Sequence, residues 1–170
     1  MTSYALWAGT SVSALRAADR LVLDLAAELG LPEAAFGCTH FLRGDRPRVA
    51  LSFTLPSEPL LRTAEERLRT LGYEVTPGVP DEAGRAVVYP GFGSITGTVT
   101  VGELLAGSAI DRVTVLGSPG QPSADQTLVT HSHVRPQWHG DELVLAAMPA
   151  VGGTLVPFEV PDPTPCCADH

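Results

Sequence analysis

Arg48-Val49-Ala50-Leu51-Ser52-Phe53-Thr54-Leu55 is the stretch on which the fold turns. Val49, Leu51, Phe53 and Leu55 fall on one side of an extended chain, and Arg48, Ser52 and Thr54 on the other. That two-residue period marks a strand. Downstream, Ser57 is placed to cap a helix running to Leu71, with Pro59 in its first turn and Gly72 at its end. Glu58–Arg62 and Glu65–Arg69 are i,i+4 pairs that support it. A further strand is expected over 73–76.

Upstream, the Gly44-Asp45 turn suits a hairpin back to a strand at 36–42. Before it, Leu15, Ala18, Leu21, Val22, Leu25 and Leu29 share one helical face, while Arg16, Asp19, Arg20 and Glu28 lie mostly off it. Ser13 is the expected N-cap of that helix, and Gly30 its stop. Tyr4-Ala5-Leu6-Trp7-Ala8 reads as a short buried strand. The resulting order, βαββαβ, is that of a ferredoxin-like split-βαβ unit.

The remainder reads as β-rich. After a loop at 76–84 come a strand at 85–89, the glycine-rich Gly91-Phe92-Gly93-Ser94-Ile95-Thr96-Gly97, and a short helix at 101–108. Strands are expected near 112–116, 127–134, 142–148 and 154–160, and Gln137-Trp138-His139-Gly140 reads as a turn. The fold class is therefore α+β. A ferredoxin-like unit spans 1–90, a β-rich unit packed on it spans 91–160, and a Pro-rich extended tail, 161–170, ends in Cys166-Cys167-Ala168-Asp169-His170. Alternating prolines at 161, 163 and 165 favour a stiff spacer.

Composition narrows the chemistry. The chain has no lysine and no asparagine. It thus lacks a Schiff-base or P-loop lysine, and an asparagine for a Cys-His-Asn triad. A formal net charge of −8 opposes approach to nucleic acid, which is not an expected partner. The basic stretch Arg43-Gly44-Asp45-Arg46-Pro47-Arg48 reads as a solvated hairpin tip. No apolar run is long enough to span a bilayer, and the first basic residue is Arg16, so neither a membrane nor a secretion signal is expected. Three cysteines, an odd count, fit free thiols in a reducing cytoplasm. At 170 residues the core needs no metal for stability.

The residues that could carry chemistry fall in three segments. His131-Ser132-His133, read as part of a strand, would point both imidazoles to one face and supply two corners of a metal site. Cys166, Cys167 and His170 could complete it. Thiolate and imidazole together suit zinc or copper better than magnesium or calcium. Adjacent Cys166 and Cys167 would form only a strained disulfide, because consecutive Cα atoms lie about 3.8 Å apart. Cys38-Thr39-His40 has the same i,i+2 spacing and offers a nucleophile–base pair with Cys38 attacking and His40 as base. The commoner roles of such residues are a hydrogen-bonded histidine and a buried structural thiol. The glycine-rich 91–97 stretch departs from the dinucleotide fingerprint and reads as a flexible turn or lid.

Three functions are compatible with these residues. The first is a small accessory protein that binds zinc or copper, or acts through thiols. The second is a metal- or Cys-His-dependent enzyme. The third is a non-enzymatic interaction module whose tail docks to a protein partner or is modified by one. An exposed sheet edge also leaves room for homodimerisation.

Overall fold

The fold is that of a computed structural model in which residues 4–161 are described. The stretch 48–55 forms the strand anticipated for it, β3 (Arg48–Leu55), and Val49, Leu51, Phe53 and Leu55 are each 2% exposed or less. Its neighbours are β1 (Tyr4–Gly9) and β2 (Phe36–Leu42), both antiparallel to it, and β4 (Val75–Pro77) pairs antiparallel with β1. Helices α1 (Leu15–Leu29) and α2 (Glu58–Thr70) cover the face that carries Leu51 and Phe53. Helix α1 buries Ala18, Val22 and Leu25, a stripe with helical spacing, and stops at Gly30 in the left-handed conformation. Helix α2 buries Ala64 and Leu68, and both expected pairs, Arg62–Glu58 and Arg69–Glu65, form on its outer side.

The sheet continues past β2 through β5 (Arg85–Val88), β9 (Gln137–His139), β10 (Glu142–Pro149), β11 (Leu155–Pro157), β8 (Thr127–Val129) and β6 (Thr98–Thr100). β7 (Arg112–Val115) pairs parallel with β10, which makes, among the described residues, eleven strands in one mixed α/β sheet with three helices. Helix α3 (Val101–Gly107) follows β6 directly; its Thr100 cap accepts a bond from the Glu103 amide. A second apolar cluster, with Tyr89, Leu104, Leu128, Leu143 and Leu145, fills the second half. Strand β5 serves both clusters, because alternation sends Ala86 to the second and Val87 to the first, while β2 gives Cys38 to the second.

Several expected boundaries move, for physical reasons. Helix α1 begins at Leu15 with Ala14 at the N-cap, and no side chain caps it; Ser13 is not the cap. Ser57 does occupy the N-cap of α2, but its side chain makes no capping bond. The expected strand 127–134 ends at Val129. Buried Thr130 donates to Gly97 O at 2.7 Å and accepts from Ser132 N at 3.2 Å, which folds the chain into a turn. His131 and Ser132 both sit at φ +54° there, so His131 and His133 do not share a strand face. The expected turn 137–140 is instead strand β9, paired with the start of β10, with Gly140 at φ +65° between them. The strand expected over 154–160 is only β11. Among the described residues, no helix is long and apolar enough to cross a membrane.

Candidate functional site

Charged side chains converge where β5 passes beneath α1. Arg85 opens β5 and is 7% exposed. One edge of its guanidinium holds Asp19 of α1: Nη1 donates to Oδ1 at 2.5 Å and Nη2 to Oδ2 at 2.9 Å. The other edge holds Glu159, which lies just past β11: Nε donates to Oε2 at 2.8 Å, and Nη2 donates to Oε1. Nη1 also reaches Thr39 Oγ1 on β2 at 3.3 Å. Two residues from the strained turn complete the cluster. Arg135 Nε donates to Asp19 Oδ2 at 3.0 Å. His133 Nε2 lies 3.0 Å from Glu159 Oε1, and since a carboxylate only accepts, Nε2 is the donor.

Charge balance explains why this cluster is tolerated. Two carboxylates face two guanidinium groups, so the buried ions neutralise each other. Burial pushes the Asp19 carboxyl up, but Arg85 and then Arg135 outweigh it and hold it below the usual carboxylate range. Glu159 behaves likewise: burial raises it, and the bonds from Arg85 and His133 bring it lower overall. Burial alone would lower the Arg85 guanidinium; Glu159 and Asp19 instead raise it.

Asp19, His133 and Glu159 each offer a ligand atom, and these atoms lie within 4.8 Å of one another. Only His133 belonged to the expected metal set. The guanidinium of Arg85 already bridges both carboxylates, and Arg135 takes a further lone pair of Asp19. An internal cation thus stands where a metal would have to bind. His131 is exposed on the turn and is not part of this group. Cys166, Cys167 and His170 lie outside the described residues.

Cys38 and His40 lie on the face of β2 turned away from α1, as their spacing implies, but they are not a poised pair. Both are 4% exposed. Burial pushes the Cys38 thiol up to about 12, against smaller opposing bonds from Trp138 and Ser52. His40 Nδ1 lies 2.8 Å from Glu82 O; a carbonyl only accepts, so Nδ1 carries the proton. Nε2 then accepts from the Ser52 hydroxyl at 2.6 Å. Both imidazole nitrogens are thereby committed, and burial draws His40 below its ordinary range while the Glu82 carbonyl opposes. Gly84 makes this packing feasible: a Cβ there would lie 3.0 Å from His40 Cε1 and 3.2 Å from Trp138 Cδ1.

The Asp19–Arg85–Glu159 set escaped sequence reasoning. Its one local signal is Arg85 at the head of the apolar run Ala86-Val87-Val88-Tyr89, where an arginine demands an anion. No family model, no curated protein and no solved structure matches the chain.

Proposed function

We propose that the chain is a non-enzymatic interaction module whose folded body carries residues 162–170 toward a partner. The observation that carries this reading is the fixing of Glu159, three residues before that segment, by Arg85 and His133. A buried arginine attached to α1 gives the segment a defined point of departure. The commitment of Cys38 and His40 to internal bonds favours binding over catalysis. A cytoplasmic setting and the ferredoxin-like reading of β1–β4 with α1 and α2 belong to the same proposal. The strand neighbours β4-β1-β3-β2, all antiparallel, support the latter. A division near residue 90 is supported by the two apolar clusters.

The transition-metal reading stands second, favoured by the position of His133 at the root of the same segment. Glu159 and Cys166 are seven residues apart, a reach of up to about 24 Å, so zinc or copper(I) held by Cys166, Cys167 and His170 could recruit His133. Thiol labelling of the native, untagged protein separates the two. A presented segment makes Cys166 and Cys167 react quickly with iodoacetamide and Cys38 slowly. Protection of the two cysteines that a chelator relieves, with metal found on analysis, favours the metal instead. A benzophenone attached at Cys167 should give a discrete adduct in extract of the native host, competed by a peptide of residues 158–170. Protection that no chelator relieves, or adducts the peptide leaves unchanged, overturns the module reading.

A further inference from the structure

Asp19 and Glu159 are unequal partners of Arg85. Asp19 sits within α1, its side chain is 8% exposed, and Arg135 holds it as well. It is the permanent counter-ion that aims the guanidinium. Glu159 is 33% exposed and lies beyond the last strand. Its neighbours bury little: Phe158 is 57% exposed and Val160 37%. The Phe158 amide still pairs with Ala146 O at 2.9 Å, on the N-terminal side of Glu159. What keeps Glu159 in place is therefore mainly its own carboxylate.

Three N–H donors converge on that carboxylate: Nε and Nη2 of Arg85, and Nε2 of His133. A planar fork facing two oxygens is the arrangement by which arginine recognises carboxylates in general. Next to it, a groove of about 600 Å³ opens onto Arg85 and Thr39. Leu15 and Phe41, 40% and 47% exposed, form its apolar lips. Arg43 adds a second cation, and Asp81 and Glu82 line it as well, so the anion is drawn to the Arg85 end and the groove favours an otherwise uncharged or cationic remainder.

We propose that Arg85 and His133 form a carboxylate-binding seat that Glu159 occupies in cis, and that a carboxylate from another molecule replaces it, with the rest of that molecule lying in the groove. Glu159 is then an internal competitor. Its high effective concentration keeps the seat shut until ligand accumulates or the C-terminal segment is drawn away. No bond is made or broken; one anion exchanges for another on the same donors. The inference stands whether or not residues 162–170 meet a partner.

The test is chemical rescue in the full chain. Glu159→Ala should lower the melting temperature, and sodium acetate or succinate should restore it where sodium chloride of equal ionic strength does not. The half-saturating carboxylate concentration should be at least roughly tenfold lower for Glu159→Ala than for the unaltered protein. Adding His133→Ala should weaken the rescue several-fold. If Glu159→Ala does not fold, Glu159→Gln takes its place, read by the shift of the Arg85 Nε–H resonance on adding acetate. A terminally blocked peptide containing glutamate, compared with its glutamine counterpart, distinguishes the source. Rescue by peptide alone assigns the seat to an acidic protein segment, and rescue by acetate and succinate as well assigns it to small organic acids. If acetate, succinate and the glutamate peptide are all no more effective than chloride, or are equally effective on the unaltered protein, the proposal is overturned.

Discussion

His40 shows how a single buried side chain sets a pH dependence. Its neutral form, with Nδ1–H to Glu82 and Nε2 accepting from Ser52, is the form that burial favours. The folded chain thus binds a proton at His40 less readily than the unfolded chain, whose histidine titrates near 6.5. With the folded value depressed, stability from this residue is complete above about 6.5 and is lost as pH falls below it toward the folded value. Asp19 and Glu159 are also depressed, but their contribution is complete above the unfolded carboxylate values of about 4 and fades only as pH drops below them. Urea midpoints measured across pH should therefore begin to fall just below 6.5, well before the carboxylates titrate. His40→Gln should remove that early decline and leave the later one. The same early decline in the variant would show that another group controls it. Sequence placed Cys38 and His40 correctly on one strand face, because a period of two is local information. Their chemistry was not local: Glu82, Ser52 and Trp138, which decide it, come from other elements.

At the scale of elements, what the sequence reveals depends on where an element's stabilising partners lie. Strands β2 and β3 have the expected ranges, 36–42 and 48–55, because β3 is long enough to show its period and β2 pairs with it as its neighbour in the chain. Strands β6 and β9 have three residues each, too few for a period, and are strands because β8 and β10 pair with them. The turn at His131-Ser132 is the converse case: the strand expected to run on to 134 is ended after Val129 by the Thr130 hydroxyl bonds. Glycine in the 91–97 stretch gives a sharper test. Gly91 has φ +86°, and a Cβ on it would lie 2.0 Å from Gly107 O. That contact ties the turn after β5 to the end of α3. Gly93, two residues on, has nothing within 4 Å of a built Cβ and no positive φ. Gly91→Ala should cost about 3 kcal/mol or more in a denaturant titration, as a backbone clash added to left-handed strain. Gly93→Ala should stay within about 0.5 kcal/mol. Equal losses at both positions would mean that chain stiffness rather than close approach governs this stretch.

Across the whole molecule, the Arg85 cluster joins parts of the chain that no local pattern connects. Arg85 is 66 residues from Asp19 and 74 from Glu159, and Arg135 is 116 from Asp19. It thereby ties α1 and β5, which feed the first apolar cluster, to the turn after β8 and the segment after β11. This is why the sequence could be read for its strands and helices and not for its charged centre. Buried ions leave no period, and their pairing follows only from the completed sheet. The energetic consequence is asymmetric. An intact buried set contributes little net stability, since desolvation offsets the attraction, but a broken one leaves uncompensated charge. Arg85→Met should therefore cost about 3–5 kcal/mol, with Asp19 and Glu159 left facing each other. The triple variant Arg85→Met, His133→Gln, Glu159→Gln should recover much of that loss, because it removes the charge of Glu159 and leaves Asp19 paired with Arg135. Arg135 keeps the turn carbonyl of Val134 as a partner in that variant. Chemical denaturation of the single and triple variants checks both expectations, and α1 and the 130–135 turn should lose amide-exchange protection together in Arg85→Met. A triple variant as unstable as the single one would mean that the arginine's shape, filling the space beneath α1, matters more than its charge.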